Sequence, residues 1–121
     1  MTDPPRFALL EHRWNGVHWD FLLERGPTLR TWAIDAPIRP NASLPARSLP
    51  DHRLAYLDYE GPVSGDRGEV RRVAGGSYDV VVWEEDRVLV RVRSDQLRGS
   101  IALSRRAGGA WDFLFAPGNV D

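Results

Sequence analysis

The chain has no cysteine and no lysine, and only three histidines in 121 residues. Without cysteine, disulfides, zinc–thiolate centres and thiol nucleophiles are excluded. No apolar run approaches the ~20 residues that span a bilayer. The opening Met1-Thr2-Asp3-Pro4-Pro5 lacks the basic and apolar regions of a signal peptide. The chain therefore reads as cytoplasmic, with no membrane partner. A formal charge of −1 argues against a protein that grips long stretches of nucleic acid, which normally shows as a basic excess. All 16 basic residues are arginine. Bidentate phosphate recognition would explain that, and so would a coding bias. A local basic patch is compatible with the neutral total. The length fits one domain, residues 1–121, large enough for a core without covalent staples.

What the sequence does have is a period of two. Segments rich in β-branched and aromatic residues alternate with Gly, Pro, Asn and Asp. Strands are expected at Phe7–His12, Val17–Glu24, Leu29–Ile34, Leu54–Tyr59, Glu69–Ala74, Tyr78–Glu84, Val88–Arg93, Ser100–Ser104 and Trp111–Phe115. Turns are expected at Asn15-Gly16, Arg25-Gly26-Pro27, Gly65–Gly68, Gly75-Gly76, Glu85-Asp86 and Gly108-Gly109. Residues 35–50 carry four prolines and read as a long surface connection. No stretch has helical amphipathicity, and Asp95–Leu97 is expected to form one turn. The fold class is all-β and mainly antiparallel: a small closed or partly open β-barrel with little helix.

The three histidines fall in two clusters, His12-Arg-Trp-Asn-Gly-Val-His18-Trp-Asp20 and Asp51-His52-Arg-Leu-Ala-Tyr56. The hairpin register decides what the first can do. A two-residue Asn15-Gly16 turn would put His12 on the face opposite His18 and Asp20. A three-residue loop, Trp14-Asn15-Gly16 with Gly16 left-handed, pairs His12 with His18 and places Asp20 on the same face. It also directs Val17, Trp19, Phe21 and Leu23 to the opposite face as a core stripe. This register, from a three-residue loop or a longer odd-length one, is the expected one. Two imidazoles and a carboxylate suit Mn²⁺, Fe²⁺ or Zn²⁺. Taken singly, each histidine is more often an ordinary hydrogen-bonding residue on a sheet. His52 and Tyr56, four apart, share a face. They suit transition-state stabilisation or general acid catalysis by His52, with Tyr56 on a phosphate oxygen. The plain reading is a turn histidine beside a half-buried tyrosine. The five tryptophans are able to stack bases, although most read as core or rim packing. Gly61, Gly65 and Gly68 read as turn glycines rather than a phosphate loop.

Taken in order, the motifs resemble a known family. His12 is followed by His18-Trp19-Asp20-Phe21 and Leu23-Glu24, then Leu29-Arg30-Thr31-Trp32-Ala33. Asp51-His52-Arg53-Leu54-Ala55-Tyr56 follows, with an acidic-Gly step at Glu60-Gly61 and Leu97-Arg98-Gly99-Ser100-Ile101-Ala102-Leu103 near the end. This set resembles the 3′-phosphoesterase domain that forms the N-terminal module of bacterial ligase D, a multi-domain DNA-repair ligase, and looks most like a short stand-alone member. The resemblance implies a compact β-barrel using manganese, or another divalent metal, to trim 3′ ends. It implies that His12, His18 and Asp20 bind the metal, and that His52 and Tyr56 contact the scissile phosphate. The implied partner is the 3′ end of DNA or of an RNA–DNA primer, with a separate repair ligase or polymerase. Three departures stand out. The family usually has an arginine where this chain has Leu22, and losing that contact removes roughly a few kcal/mol. The charged residues that the family carries after Trp-Ala are replaced here by Ile34-Asp35-Ala36-Pro37, and Pro50 stands where a glutamate often precedes Asp-His. Arg53 and Arg47 are the candidates to replace the missing guanidinium.

Two other readings follow from the residues. One is a non-catalytic module that keeps the fold and binds ends or a partner, motivated by Leu22 and the lack of basic charge. The other treats His18, Asp20 and His52 as the facial triad of an Fe²⁺ oxygenase, which leaves His12 without a role.

Overall fold

The computed structural model describes residues 3–119. Nine strands make up nearly all of its regular structure: β1 (Arg6–Arg13), β2 (Val17–Arg25), β3 (Thr28–Ile34), β4 (Ser43–Arg53), β5 (Gly61–Pro62), β6 (Glu69–Trp83), β7 (Arg87–Arg93), β8 (Arg98–Arg105) and β9 (Trp111–Pro117). The helical element among the described residues is a single 3-10 turn, Leu54–Leu57. Strand order is β1-β2-β3-β4-β9-β8-β7-β6-β5, and β6 also pairs with β1. The antiparallel ladder thus returns to its start, a ring of hydrogen bonds through every strand but β5. The ring is incomplete along β4, which pairs with β9 only over Ser43–Ala46 and leaves Arg47–Arg53 paired on the β3 side alone.

Because side chains alternate across a strand, each strand of the ring contributes to an inner core. Phe7, Phe21, Trp32, Tyr78, Phe113 and Ile101 are fully buried there. Phe21 meets Phe113 edge-on at 5.6 Å, and Trp32 meets Trp111 the same way at 5.6 Å, the arrangement favoured by ring quadrupoles. Arg30 closes one end with its guanidinium 4.0 Å from the Trp32 ring. Burial holds the Arg30 pKa below its ordinary value, with Asp51 opposing. The other face of β1–β3 is buried as well. Ala8, Leu10, Leu22 and Leu29 form a second cluster with Leu57, Val63 and Val70. Leu57 and Val63 belong to the segment 54–68, a strap laid over the outside of the ring. This double burial explains the unbroken apolar runs Phe7–Leu10 and Phe21–Leu23.

The structure departs from expectation in three places. Residues 35–50 are not all connection: β4 begins at Ser43 and includes Pro45 and Pro50. Pro50 is accommodated at the register shift opposite Leu29/Thr31, the kind of irregularity where a strand tolerates a missing N–H. Leu54–Tyr59 is not a strand. Pairing of β4 with β3 runs out at Arg53, opposite Thr28 at the start of β3, so the chain turns and buries Leu57 instead. Gly75-Gly76 is not a turn either, since β6 runs through it. A Cβ on Gly75 would lie 1.9 Å from the Arg72 guanidinium, and one on Gly76 would lie 2.0 Å from the Arg93 carbonyl oxygen. These glycines serve close approach rather than chain reversal. Asp95–Leu97 does make a tight bend, with Ser94 Oγ accepting from the Gln96 and Leu97 N–H groups. No helix among the described residues is long and apolar enough to cross a membrane.

Candidate metal centre and phosphate cleft

The β1–β2 hairpin has the three-residue register. His12 pairs with His18 and Arg13 with Val17. The loop is closed by the Trp14 N–H donating to the Gly16 carbonyl at 3.0 Å, with Asn15 (φ 53°) and Gly16 (φ 112°) both left-handed. Phe21 and Leu23 enter the inner core and Trp19 packs at its margin, while Val17, at the hairpin end, stays exposed. On the opposite face His12, His18 and Asp20 converge, each offering a ligand atom within 4.8 Å of the others. His12 Nδ1 is 3.3 Å from Asp20 Oδ2, and His18 Nε2 is 3.0 Å from Asp20 Oδ1.

Two details bear on whether this cluster suits a cation. His12 Nε2 lies 2.8 Å from the Arg67 carbonyl oxygen. A carbonyl only accepts, so Nε2 carries the proton and Nδ1 turns its lone pair toward Asp20. This backbone-anchored imidazole is the usual support of a metal-ligating histidine. The second detail is Asp20, whose side chain is 3% exposed. Its Oδ1 has no hydrogen-bond partner despite the proximity of His18. A buried carboxylate oxygen without a donor is costly, and a divalent cation held by these three side chains would satisfy it. The donor set fits.

His52 stands across a cleft of about 450 Å³ from this cluster. Its Nδ1 donates to the Pro50 carbonyl oxygen at 2.9 Å, which leaves Nε2 available to the cleft. The carbonyl is presented by the same irregularity that admits Pro50 into β4. Tyr56, on the 3-10 turn, meets His52 edge-on at 5.7 Å and Tyr59 at 5.6 Å. Arg47 and Arg53 also line the cleft; Arg47 is shared with Asp35 at 3.3 Å. All seven residues expected at the site therefore border one hollow. The alternative triad is not assembled: the carboxylate groups with His12 and His18 rather than with His52.

The sequence reading missed Arg67 and named Trp14 only among five tryptophans able to stack bases or pack at a rim. Arg67 lines the cleft, its guanidinium held by the Ser64 carbonyl at 2.7 Å and Ser64 Oγ at 3.2 Å. Its carbonyl fixes His12, a backbone role that side-chain identity does not advertise. Trp14 forms the rim and is 44% exposed. Leu22, by contrast, is fully buried in the second cluster beneath the strap and does not line the cleft.

The fold and site together define a class: an antiparallel ring of strands bearing a His/His/Asp centre and a facing His–Tyr pair on its outer surface. A family profile described as the DNA Ligase D 3′-phosphoesterase domain matches residues 10–105. The chain belongs to that family. It is 30% identical over 118 residues to the "Multifunctional non-homologous end joining protein LigD" of Mycobacterium bovis, covering 90% of this chain. The same values hold for the "Multifunctional non-homologous end joining DNA repair protein LigD" of Mycobacterium tuberculosis. The LigD protein of Pseudomonas aeruginosa is 32% identical over 81 residues, 65% of this chain and 9% of that protein. The chain spans 16% of the length of the mycobacterial relatives.

Proposed function

We propose that this chain is a divalent-metal-dependent phosphoesterase, with Mn²⁺ the preferred ion, acting on 3′ ends of nucleic acid during DNA end repair. The observation that carries the reading is the orphaned Asp20 Oδ1 beside two imidazoles, facing His52 across one cleft. His12 Nδ1, His18 Nε2 and an Asp20 oxygen would hold the metal. When bound, it supplies Lewis-acid polarisation of the phosphate and a lowered pKa for an attacking water.

The chain's own residues do the rest. The Arg67 carbonyl keeps His12 in the Nδ1-ligating tautomer. The Pro50 carbonyl likewise fixes the His52 ring. Protonated His52 donates from Nε2 to a phosphate oxygen as charge develops there. Tyr56 offers its hydroxyl to a second oxygen and packs the His52 ring edge-on. Arg47, Arg53 and Arg67 supply the positive rim that Leu22 cannot. Partners in this reading are the 3′ end of DNA or an RNA–DNA primer, and separate ligase and polymerase activities that use the cleaned 3′-hydroxyl.

The test is hydrolysis of a primer–template carrying a 3′-phosphate, with and without Mn²⁺, comparing wild type with His18→Ala and His52→Ala. Manganese-dependent phosphate release that drops at least a hundredfold in both variants is the expected outcome, in line with about 10²–10⁴ for a positioned acid. Equal release by wild type and variants would refute the site assignment. The burial of Leu22 favours one second reading, an end-binding module without turnover. Manganese binding and oligonucleotide binding with no phosphate released would select it.

A further inference from the structure

Trp14 is the exposed member of the five tryptophans. Trp32 and Trp111 are buried, and Trp19 and Trp83 are half-buried. Its backbone is closely held. The loop that carries it is hydrogen-bonded across Trp14 and Gly16. Gly68 lies so close beneath that a Cβ there would come within 2.8 Å of the Trp14 Cβ. Trp14 borders the main cleft and a second hollow lined also by Val17, His18 and Arg47. Its ring is 6.2 Å from the His12 ring and within 20° of parallel to it. An exposed apolar ring of this kind, at the rim of an arginine-lined cleft, is suited to a flat aromatic ligand.

We propose that Trp14 is a stacking platform for the base of the 3′-terminal nucleotide, so that the site selects a nucleotide end rather than phosphate esters in general. The inference rests on the phosphoesterase reading for the position of the phosphate. A base and the phosphate on its own 3′ oxygen are separated by one sugar ring, comparable with the spacing between Trp14 and the metal-centre histidine. With the phosphate between that centre and His52, the base reaches the indole without crossing the cleft. Stacking is tolerant of base identity, because every base has a π-face. Trp14 is thus a specificity residue, with no part in bond breaking.

The experiment measures phosphate release from a single-stranded oligonucleotide with a 3′-phosphate and from the same strand ending in an abasic 3′-phosphate. Wild type, Trp14→Ala and Trp14→Phe are compared. Trp14→Ala should raise KM for the natural end about tenfold, as expected for one stacked base, with kcat within about twofold. KM for the abasic end should not change, and Trp14→Phe should recover most of the loss. A second readout needs no turnover: 2-aminopurine placed as the terminal base, bound with Mn²⁺ to His52→Ala protein. Its fluorescence should be quenched there, and not by the His52→Ala/Trp14→Ala protein. If wild type releases no phosphate, the phosphoesterase reading falls while the quenching still decides the role of Trp14. Equal losses on natural and abasic ends, or quenching that survives Trp14→Ala, would overturn the platform.

Discussion

At the scale of single residues, Asp20 is the position where stability and binding are opposed. Its carboxylate is buried among β-strands with one oxygen lacking a donor, a cost that a cation would offset. Asp20→Asn removes the charge while nearly conserving volume. The metal-free variant should be at least as stable as metal-free wild type. The rise in Tm that Mn²⁺ gives wild type, which grows as RT ln(1 + [L]/Kd), should vanish in the variant. Thermal melts across a manganese titration check both halves; a variant that still gains Tm from manganese would remove Asp20 from the centre. Gly68 is the other sensitive position. Its φ is 73°, and a Cβ would sit 1.8 Å from the Arg13 carbonyl oxygen. Gly68→Ala should cost more than the ~1 kcal/mol of a left-handed residue alone. It should also displace the neighbouring Arg67 carbonyl, so manganese affinity should fall with stability, measurable by calorimetry beside urea denaturation.

At the scale of elements, the strap over β1–β3 is what turns a sheet surface into a cleft. Leu22 anchors it, fully buried against Leu57 and Val63. Leu22→Ala should destabilise by about 2–4 kcal/mol, the range for truncating a buried leucine, read from urea denaturation. A smaller loss would mean that the strap settles onto the gap. At its start the strap is also pinned by Asp58, which accepts from both Arg6 Nη1 and Nη2 at 3.0 and 2.5 Å. The Arg6 hydrogen bond holds the Asp58 pKa below 3.8. The stabilisation is therefore complete above about pH 3.8 and is lost as pH falls through the lower folded value. The pair is exposed, so it contributes under ~1 kcal/mol. Hydrogen exchange in the strap should be faster in Arg6→Ala than in wild type at pH 6, and the two should converge only well below pH 3.8, once Asp58 is protonated in the folded protein. A difference that persists in acid would mean that Arg6 acts through packing. The elements also show what a sequence makes legible. The hairpin register was readable, because an odd-length loop brings His12 onto the face of His18 and Asp20, opposite Trp19, Phe21 and Leu23. Gly75-Gly76 and Leu54–Tyr59 were misread because their local signals, a glycine pair and an alternating apolar run, are overruled by tertiary partners: the Arg72 and Arg93 groups crowding β6, and the end of β3 that leaves Leu54 without a ladder.

At the scale of the whole molecule, the proposed function asks how a chain of net charge −1 would hold a polyanion. Its cations around the cleft are Arg53, Arg67 and Arg47, the last of them shared with Asp35, while Arg6, Arg71, Arg93 and Arg106 are engaged with Asp58, Glu11, Asp79 and Asp112 away from it. Three guanidiniums reach at most about three phosphates. With a slope of about −0.7 per phosphate for single strands, log affinity against log salt should fall with a slope near −2. A protein that follows the backbone along 6–10 phosphates loses about 10³–10⁵ in affinity over a fourfold rise in salt; this chain should lose roughly tenfold to thirtyfold. Length dependence follows from the same count. Once the strand supplies the terminal phosphate, its nucleotide and the few phosphates within reach of the rim, further nucleotides meet no compensating charge. kcat/KM for 3′-phosphorylated single strands should therefore level off by about four nucleotides. A rate that continues to climb with length, together with a steeper salt slope, would mean that arginines outside the cleft form a backbone track across the ring. A plateau with a shallow slope would mean that recognition is confined to the end itself, at the cleft that the His/His/Asp cluster, His52 and Trp14 border.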